Sequence, residues 1–328
     1  MNRTSSILII RRDNIGDLVC TTPLLRALRQ AHPSAWIAVL VNSYNAPVLK
    51  GNQDIDEVLC YRKAKHSEGE TVVGLLLDRV RLGWRLRRRR WDAVLVASPG
   101  ARAERLAAFV GAGRVLVRGA RDGRRGRVEM VAEGGGHEVE RAFALGARIG
   151  AAGPPPPSRV FASSGTTPSG AYTLGIHISA RKPSQRWPLD RFVALVRALD
   201  ADWRLRLFWA PGVEGDARHP GDDRKAANLS RTLGDRVEPF PTRSLGQLMD
   251  GLAGCDSLFC SDGGAMHLAA GLGLPITCMF GDSDAERWHP WGVPYQLLQP
   301  TSRHVDDVGV AAVLAAIREL AAAEYRPT

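Results

Sequence analysis

The fold is constrained most by a proline run near the middle of the chain, because the same alternation of segments recurs on both sides of it. Residues 153–157 are Gly-Pro-Pro-Pro-Pro, and residues 163–170 are rich in Ser, Thr and Gly. This composition is typical of a linker between domains. On each side, short apolar runs alternate with helical stretches, as in a parallel sheet covered by helices. The sequence therefore predicts an α/β chain of two domains, which its 328 residues also favour.

The individual elements follow from the spacing of apolar residues. In the first half we expect strands at 7–10, 36–41, 58–61, 92–96 and 115–117, and helices at 24–30, 71–90, 101–110 and 137–149. The arginine- and glycine-rich run 118–127 is expected to be a mobile basic loop. In the second half we expect strands at 172–178, 204–209, 258–261 and 276–280, and helices at 190–199, 245–253, from 265 onward, and at 305–324.

Positive charge is concentrated in the first half. Residues 1–153 contain 26 Lys and Arg against 15 Asp and Glu, whereas residues 154–328 contain 18 against 19. Such an excess favours an anionic partner: nucleic acid, phospholipid head groups or a phosphorylated substrate. The alternative is an arginine-rich surface that is merely solvated. With only 6% aromatic residues, stacking platforms for single strands are not obvious, so nucleic acid is not the expected partner.

The basic helix at 71–90 ends beside Trp91, an arrangement that suits either an anionic membrane surface or a solvated helix end. No apolar run approaches the roughly 20 residues of a membrane helix, and no signal-peptide core precedes residue 7. The five cysteines lack C-x-x-C spacing and are expected to be reduced thiols. We therefore expect a cytoplasmic protein, with peripheral attachment to the inner face of the cytoplasmic membrane as a further expectation.

The stretch 258–270 has the order strand, glycine turn and helix. Backbone N–H groups at the start of such a helix, together with the helix dipole, favour an anion. Asp262 and His267 flank this turn, so it is suited to a diphosphate and its attached sugar. The alternative is an ordinary turn that needs Gly263 and Gly264 for their backbone angles.

A second candidate loop follows the first strand, at residues 11–17. It contains a single glycine, Gly16, and lacks G-x-G-x-x-G, so it does not favour a dinucleotide. Asp17 stands at the start of the next helical segment. Its carboxylate is suited either to general-base chemistry or simply to capping the helix.

Taken together and in order, these segments resemble glycosyltransferase family 9, the heptosyltransferases of lipopolysaccharide synthesis. The resemblance covers nearly the whole chain and rests on four ordered motifs. The first is R-x-D-x-I-G-D (11–17) followed by T-x-P-L-L-R-A-L-R, whose last eight positions are residues 22–29. The others are R-W-P before an aromatic-bearing helix (186–192), D-[ST]-G-x-M-H-L-A-A-A-L-G-x-P (262–275) and F-G-x-[ST]-D-x-x-R-W-x-P (280–290).

The resemblance implies a GT-B fold, in which two Rossmann-like domains face a cleft, with no metal and no cofactor. It implies an acceptor-binding domain at 1–155, a linker at 156–170 and a nucleotide-sugar domain at 171–304. The helix at 305–328 is expected to pack back on the N-terminal domain. The implied reaction is inverting transfer of a heptose or related sugar from a nucleotide diphosphate, ADP-heptose favoured, to a lipopolysaccharide core or other surface glycan that carries phosphates.

The same resemblance and the positions of the loops give the expected roles. Asp17 is the expected catalytic base. The expected donor-binding residues are Gly16, His177, Ser179, Lys182, Gln185, Arg186, Trp187, Asp262, Gly263, Gly264, Ala265, Met266, His267 and Asp282. The expected acceptor-binding residues are Arg12, Arg62, Lys63 and Arg121.

Three positions depart from the family pattern. Gly263 replaces the usual Ser or Thr, Gln185 replaces the lysine two residues before the Trp-Pro pair, and Asp282 replaces a frequent proline. The sequence leaves open whether Lys182 or Arg186 replaces the missing cation. Two other functions also stay open: a glycosyltransferase of a protein or secondary metabolite with a different nucleotide sugar, and a non-catalytic binder of anionic surfaces or nucleic acid.

Overall fold

The computed structural model describes residues 5–62, 72–98, 100–119, 122–163, 170–215 and 221–323. They form two compact units, Met1–Val160 and Phe161–Thr328, and the division falls inside the expected linker. In these ranges no helix is long and apolar enough to cross a membrane.

The first unit is built around a mostly parallel sheet. Within the described residues its strands are β1 (Ser6–Ile10), β2 (Trp36–Asn42), β3 (Glu57–Tyr61), β4 (Ala93–Val96), β5 (Arg114–Gly119), β6 (Gly123–Arg125) and β7 (Val128–Ala132). Its helices there are α1 (Ile15–Val19), α2 (Thr22–Ala31), α3 (Val72–Arg88), α4 (Ala101–Val110) and α5 (Glu138–Ala147). The five residues of β1 are all buried, as expected for an apolar strand at the centre of a parallel sheet.

The strand order of this sheet fixes where a ligand can bind. The order is β3-β2-β1-β4-β5-β7-β6, with only β6 antiparallel. The chain runs outward from β1 in one direction and then from β4 in the other. Such a topological switch point opens a crevice at the carboxyl ends of the two strands. The loop at 11–14, after β1, and Ser98, after β4, therefore lie where this fold binds ligands.

The second unit repeats the same plan. Its described strands are β8 (Thr173–His177), β9 (Arg204–Trp209), β10 (Glu238–Pro241), β11 (Ser257–Ser261), β12 (Ile276–Met279) and β13 (Tyr295–Leu298). Its described helices are α6 (Leu189–Ala198), α7 (Asp223–Leu233), α8 (Leu245–Ala253), α9 (Gly264–Gly271), α10 (Ala285–Trp288) and α11 (Val310–Ala322). The sheet is parallel in the order β10-β9-β8-β11-β12-β13, so its switch point lies after β8 and β11.

Several elements were not expected from the sequence. The run 118–127 is not simply a mobile loop: within its described part, Arg118 lies buried in β5, and β6 pairs with β7. The helix α7 and the strands β10 and β13 were also missed. α7 is strongly polar apart from a narrow apolar stripe, and β10 contains two prolines, which strand patterns do not favour.

The terminal helix contributes to the core of the second unit. α11 packs on α6, β12 and β13 of the second unit, where Val313 and Ile317 join the core. Arg318 adds a 2.6 Å ion pair to Asp200 at the end of α6. The apolar face of α11 thus covers the second unit's own sheet, and the expected packing of this helix on the N-terminal domain stays a prediction.

Candidate functional site

The expected base, Asp17, lies in the first turn of α1, directly after β1. Asn14 precedes this helix in an extended conformation, and its backbone N–H and side-chain amide both donate to Asp17 Oδ2 at 3.0 Å. Asp17 Oδ1 accepts a 2.8 Å hydrogen bond from Arg11 Nη2. The side chain is 13% exposed. Both oxygens are thus held in place, while part of the carboxylate still reaches solvent.

Arg11 is the centre of this arrangement. Its side chain is fully buried, and besides Asp17 it contacts the carbonyl oxygen of Ala97 and Glu138 Oε1, the latter at 2.7 Å. Asp13 Oδ2 lies 3.5 Å from Arg11 Nε. Burial raises the pKa of Asp13, although the charge of Arg11 opposes that shift. A buried cation surrounded by carboxylates keeps the loop at 11–17 in one conformation.

Glu138, the first residue of α5, joins a second buried cation to the network. Arg118 Nη1 donates to Glu138 Oε1 at 2.5 Å and to the Ala97 carbonyl at 3.1 Å. Burial alone would raise the pKa of Glu138, but hydrogen bonds and charges from Arg118 and Arg11 outweigh it and lower that pKa to about 2. Glu138 therefore stays ionised and balances the two guanidinium groups.

The expected acceptor-binding residues are only partly described. The Arg12 guanidinium lies 3.9 Å from the centre of the Tyr61 ring, and its backbone N–H donates to Ser98 Oγ at 2.7 Å. Arg62 is 49% exposed and forms a 3.2 Å ion pair with Asp78. Lys63 and Arg121 lie outside the described residues. Of the two that are described, Arg12 is the one at the switch point of the first sheet.

In the second unit, the glycine turn lies at the carboxyl end of β11, and α9 begins at Gly264. Gly263 has a φ of 164°, which is extended backbone open to any residue, and a Cβ there would meet nothing within 4 Å. The need for glycine at this position is therefore not conformational. Ala265 and His267 are buried behind the turn, and the His267 ring packs edge-on against Trp288. Anion binding here would use the backbone N–H groups at the start of α9.

Gln185, which stands where the family has lysine, is buried and joins two loops. Its Nε2 donates to Asp262 Oδ2 and to Ser283 Oγ, both at 2.8 Å. Lys182 Nζ contacts the same Ser283 Oγ at 3.4 Å and Asp282 Oδ1 at 3.1 Å. The Lys182 ammonium therefore shares a hydroxyl group with the Gln185 amide.

Two further contacts show how the departures from the family pattern fit together. Ser184 Oγ donates to Asp282 Oδ1 at 2.9 Å, and a Cβ on Gly281 would lie 2.3 Å from the Ser184 carbonyl oxygen. Only glycine permits so close an approach of the two loops. Arg186, by contrast, donates to the Ala180 carbonyl at 3.0 Å and lies 4.0 Å from Glu214. Of the two candidate cations, Lys182 is therefore the one that contacts the Gln185 cluster, which consists of Gln185, Asp262 and Ser283.

A second cluster of titratable groups lies at the ends of β8 and β9. Burial lowers the pKa of His177 to about 4 and raises that of Asp222. Ser179 Oγ accepts from the Ala210 N–H at 2.9 Å. Lys225, on α7, donates to the carbonyl oxygens of Ile178 and Trp187 at 3.3 and 3.0 Å. Burial lowers the pKa of Lys225 to about 8.

Trp187 and Met266, two of the expected donor-binding residues, have buried side chains. The Trp187 side chain is buried against Phe192 and Phe259, and its indole N–H donates to the Val308 carbonyl at 3.0 Å. Met266 is completely buried in the first turns of α9. Both side chains belong to the core, so Met266 can reach a ligand only through its backbone. Gly16 lies within α1 of the first unit, beside Asp17, and is also buried.

Sequence reasoning missed four charged groups of these sites: Glu138, Arg118, Asp222 and Lys225. Arg11 belongs to a family motif, but the sequence indicates no separate role for it. Glu138 begins a helix 121 residues after Asp17, and a glutamate in a first helical turn has the ordinary explanation of dipole compensation. Lys225 lies on a helix that the pattern did not reveal. No local signal in the sequence indicated these pairings.

Known glycosyltransferases are similar to this chain in sequence and in fold. The chain is 24% identical to lipopolysaccharide heptosyltransferase 2 of Escherichia coli (strain K12) over 310 residues, covering 85% of this chain and 84% of that protein. A family 9 glycosyl transferase from Veillonella parvula matches the structure with a TM-score of 0.81, 16% identity and 99% coverage of both chains. E. coli heptosyltransferase WaaC with ADP matches with a TM-score of 0.79 and 22% identity, covering 96% of this chain and 99% of that one.

These structural matches show that the fold is GT-B, as the motifs implied. The sequence model of glycosyltransferase family 9 (heptosyltransferase) matches residues 79–309, which is more than half of the chain. The chain therefore belongs to glycosyltransferase family 9, the heptosyltransferase family.

Proposed function

We propose that this chain is an inverting, metal-independent glycosyltransferase. It moves a heptose or related sugar, with ADP-heptose as the favoured donor, to a lipopolysaccharide core or other surface glycan. One observation carries the proposal. The motif loops after β1 and β11 each lie at the switch point of a Rossmann-like sheet, where such sheets bind ligands. Family membership and the similarity to an E. coli heptosyltransferase support the class of sugar.

Asp17 acts as the general base in the first unit. Arg11 and Asn14 orient its carboxylate, and the exposed part accepts the proton of the acceptor hydroxyl. The hydroxyl oxygen then attacks the anomeric carbon from the face opposite the departing diphosphate. The bond to the diphosphate breaks as the new glycosidic bond forms, so the configuration inverts.

The second unit stabilises the leaving diphosphate. Negative charge grows on the phosphate oxygens as the bond between the sugar and the diphosphate breaks. Hydrogen-bond donors in fixed positions lower the energy of that state. Backbone N–H groups at the start of α9 supply such donors, and Lys182 supplies a cation beside Asp282 and Ser283. Gln185 keeps Asp262 oriented toward the same loops.

The acceptor and the location follow from charge. A phosphorylated glycolipid is attracted by the basic first half of the chain, where Arg12 lies at the switch point. The protein works in the cytoplasm and is held at the inner face of the cytoplasmic membrane by electrostatic attraction. Nucleic acid is not a partner in this proposal.

Asp17→Asn tests the base role. The amide cannot accept the proton but keeps the size of the side chain, so we expect transfer to fall by at least about 100-fold, the usual contribution of a general base. Binding of ADP, measured by calorimetry, should stay within about twofold of the parent protein. Wild-type turnover in the variant, or an equal loss of ADP affinity, would contradict the assignment.

A different nucleotide sugar is the second candidate, favoured by the network that replaces the family lysine. Gln185 and Asp282 depart from the family pattern and lie on two loops that are joined by contacts of Lys182 and Ser283. A thermal-shift screen of ADP-heptose, UDP-sugars and GDP-sugars separates the two, because a ligand that binds the native state raises its stability. Stabilisation by ADP-heptose alone supports the first candidate. Binding of DNA without any nucleotide sugar would contradict both.

A further inference from the structure

The helix α3 presents an apolar stripe to solvent. Val73, Leu76, Leu77, Val80 and Trp84 are 67, 59, 50, 62 and 62% exposed, respectively. These five, here called the α3 stripe, make up more than half of the large exposed hydrophobic residues among the described parts of the chain. Contiguous exposed apolar surface of this kind marks an interaction site.

The stripe is one of two apolar faces on the same helix. Each member has another member three or four residues away, which places them along one side of a helix. Leu86 is 1% exposed and joins the core of the first unit, and the half-buried Leu82 packs against that core. The core therefore accounts for one face of α3 and leaves the other facing outward.

Cations surround the stripe. Residues 72–90 contain seven arginines and a single acidic residue, Asp78. Arg88 lies over the Trp84 ring at 4.9 Å, and Arg87 lies 5.2 Å from the ring of Phe109 on the neighbouring helix α4. Phe109 is itself 46% exposed and extends the apolar surface. An apolar stripe bordered by arginines and a tryptophan is the pattern of a helix that lies in a membrane interface.

We propose that the α3 stripe is a membrane-docking surface that inserts into an anionic lipid bilayer. The apolar side chains enter the boundary between head groups and acyl chains, and the arginines contact lipid phosphates. This inference deepens the proposed location at a membrane and rests on that part of the proposed function. The proposed function includes only electrostatic attraction to the membrane. The α3 stripe adds insertion of apolar side chains at one defined helix.

Charge also decides between a membrane and a second copy of the chain. In a symmetric dimer the same patch meets itself, which would bring Arg87 and Arg88, beside the exposed rings of Trp84 and Phe109, against the same residues of the second copy. Like charges facing each other across an interface oppose association. A bilayer rich in anionic lipid offers an apolar interior together with the opposite charge, so it matches both features of the patch.

Sedimentation with vesicles tests the proposal with the full chain. Phosphatidylcholine vesicles are compared with vesicles in which about a third of the lipid is phosphatidylglycerol, whose charge attracts basic segments. We expect binding to the anionic vesicles and a loss of at least about tenfold in affinity for Leu77→Glu/Val80→Glu, even at low salt. Val213→Glu is the matched control, because Val213 is 77% exposed on the second unit. It should bind like the parent protein.

A second measurement places the helix in the bilayer. Lipids brominated along the acyl chain should quench part of the tryptophan fluorescence, and Trp84→Phe should remove that part. Arg87→Gln/Arg88→Gln should weaken binding and flatten its salt dependence while the Trp84 quenching persists. Circular dichroism checks that each variant is folded.

Several outcomes would overturn the proposal. One is equal binding of the parent protein and Leu77→Glu/Val80→Glu; another is failure of the parent protein to bind anionic vesicles. A dimer that the stripe substitutions dissociate, without vesicle binding, would make the patch a contact between copies. Vesicle binding needs no turnover, so an inactive protein that binds through the α3 stripe would refute only the proposed reaction.

Discussion

Asp17 stands at one end of a network of buried charges that reaches α5. The Arg11 and Arg118 side chains are 0 and 1% exposed, and both contact Glu138 Oε1 and the Ala97 carbonyl. A buried charge is stable only when it is paired and hydrogen-bonded. Glu138 therefore supports the loop of the proposed base from a helix that carries no family motif.

Glu138→Gln should destabilise the protein. Removing one partner of a buried ion pair costs about 3–5 kcal/mol, and the glutamine amide keeps some hydrogen bonds, so we expect the free energy of unfolding at pH 7 to fall by roughly 3 kcal/mol. Urea unfolding measures the change. Glu140→Gln is the control, because Glu140 lies in the same helical turn but accepts from the His137 N–H. Equal effects of the two substitutions would rule out the network as the cause.

The contacts of Glu138 with Arg11 and Arg118 also predict that the stability of the protein depends on pH. The pKa of Glu138 is lowered from 4.5 to about 2 in the folded protein, so the folded state binds fewer protons than the unfolded state. The stabilisation is complete above pH 4.5 and is lost as the pH falls toward 2. Glu138→Gln should make the stability less dependent on pH in that window. If the free energy of unfolding falls as steeply in Glu138→Gln as in the parent protein between about pH 5 and 2, Glu138 is not the titrating group.

Gly263 is the other position where a single residue can be tested. Since its φ is extended and a Cβ would meet nothing, Gly263→Ser should change the free energy of unfolding by no more than about 0.5 kcal/mol. Gly251→Ala on α8 gives the contrast, because its Cβ would lie 2.6 Å from Phe240 and 2.7 Å from Phe208. Strong destabilisation by Gly263→Ser would show that the turn does require glycine.

At the scale of elements, α7 fixes the loop between β8 and α6. Lys225 donates to the carbonyl oxygens of Ile178 and Trp187, which lie at the two ends of residues 179–186. Its ammonium also lies 4.6 Å from the Phe192 ring. The loop that carries Lys182 and Gln185 is thus anchored by a helix that the sequence pattern did not reveal.

Lys225→Met should weaken donor binding. Methionine keeps an apolar stem beside Phe192 but loses the charge and both hydrogen bonds, so we expect ADP affinity to fall by about tenfold, equivalent to about 1.4 kcal/mol. Calorimetry measures it. Because burial lowers the pKa of Lys225 to about 8, the ammonium loses its proton near that pH, and wild-type affinity should decline as the pH rises through about 8.

Lys225→Met should lack this decline in ADP affinity at high pH. Arg224→Met serves as the control, because Arg224 is the preceding residue of α7 and is 80% exposed. If both variants bind ADP like the parent protein, the loop does not depend on Lys225. A decline in affinity through pH 8 that persists in Lys225→Met would assign the titration to another group.

At the scale of the whole molecule, the two units repeat one strand order around separate cores. Most of this plan was predictable, because the period of apolar residues reports strands and helices locally. Elements whose pattern is weak, such as α7 and β10, were missed. The contacts of α11 with β12 and β13 could not be derived from the sequence, since an apolar helical face does not identify the sheet that it covers.

The sequence by itself determined the α/β class, the two units and the four motifs that identify the family. All of these follow from local features, namely the spacing of apolar residues and the residues at turns. Only the tertiary structure brought Glu138 to Arg11, buried Trp187 and joined Lys182 to the Gln185 cluster. It also decided which face of α3 meets the core. Periodicity defines the faces of a helix, but its neighbours in space decide which face stays in solvent.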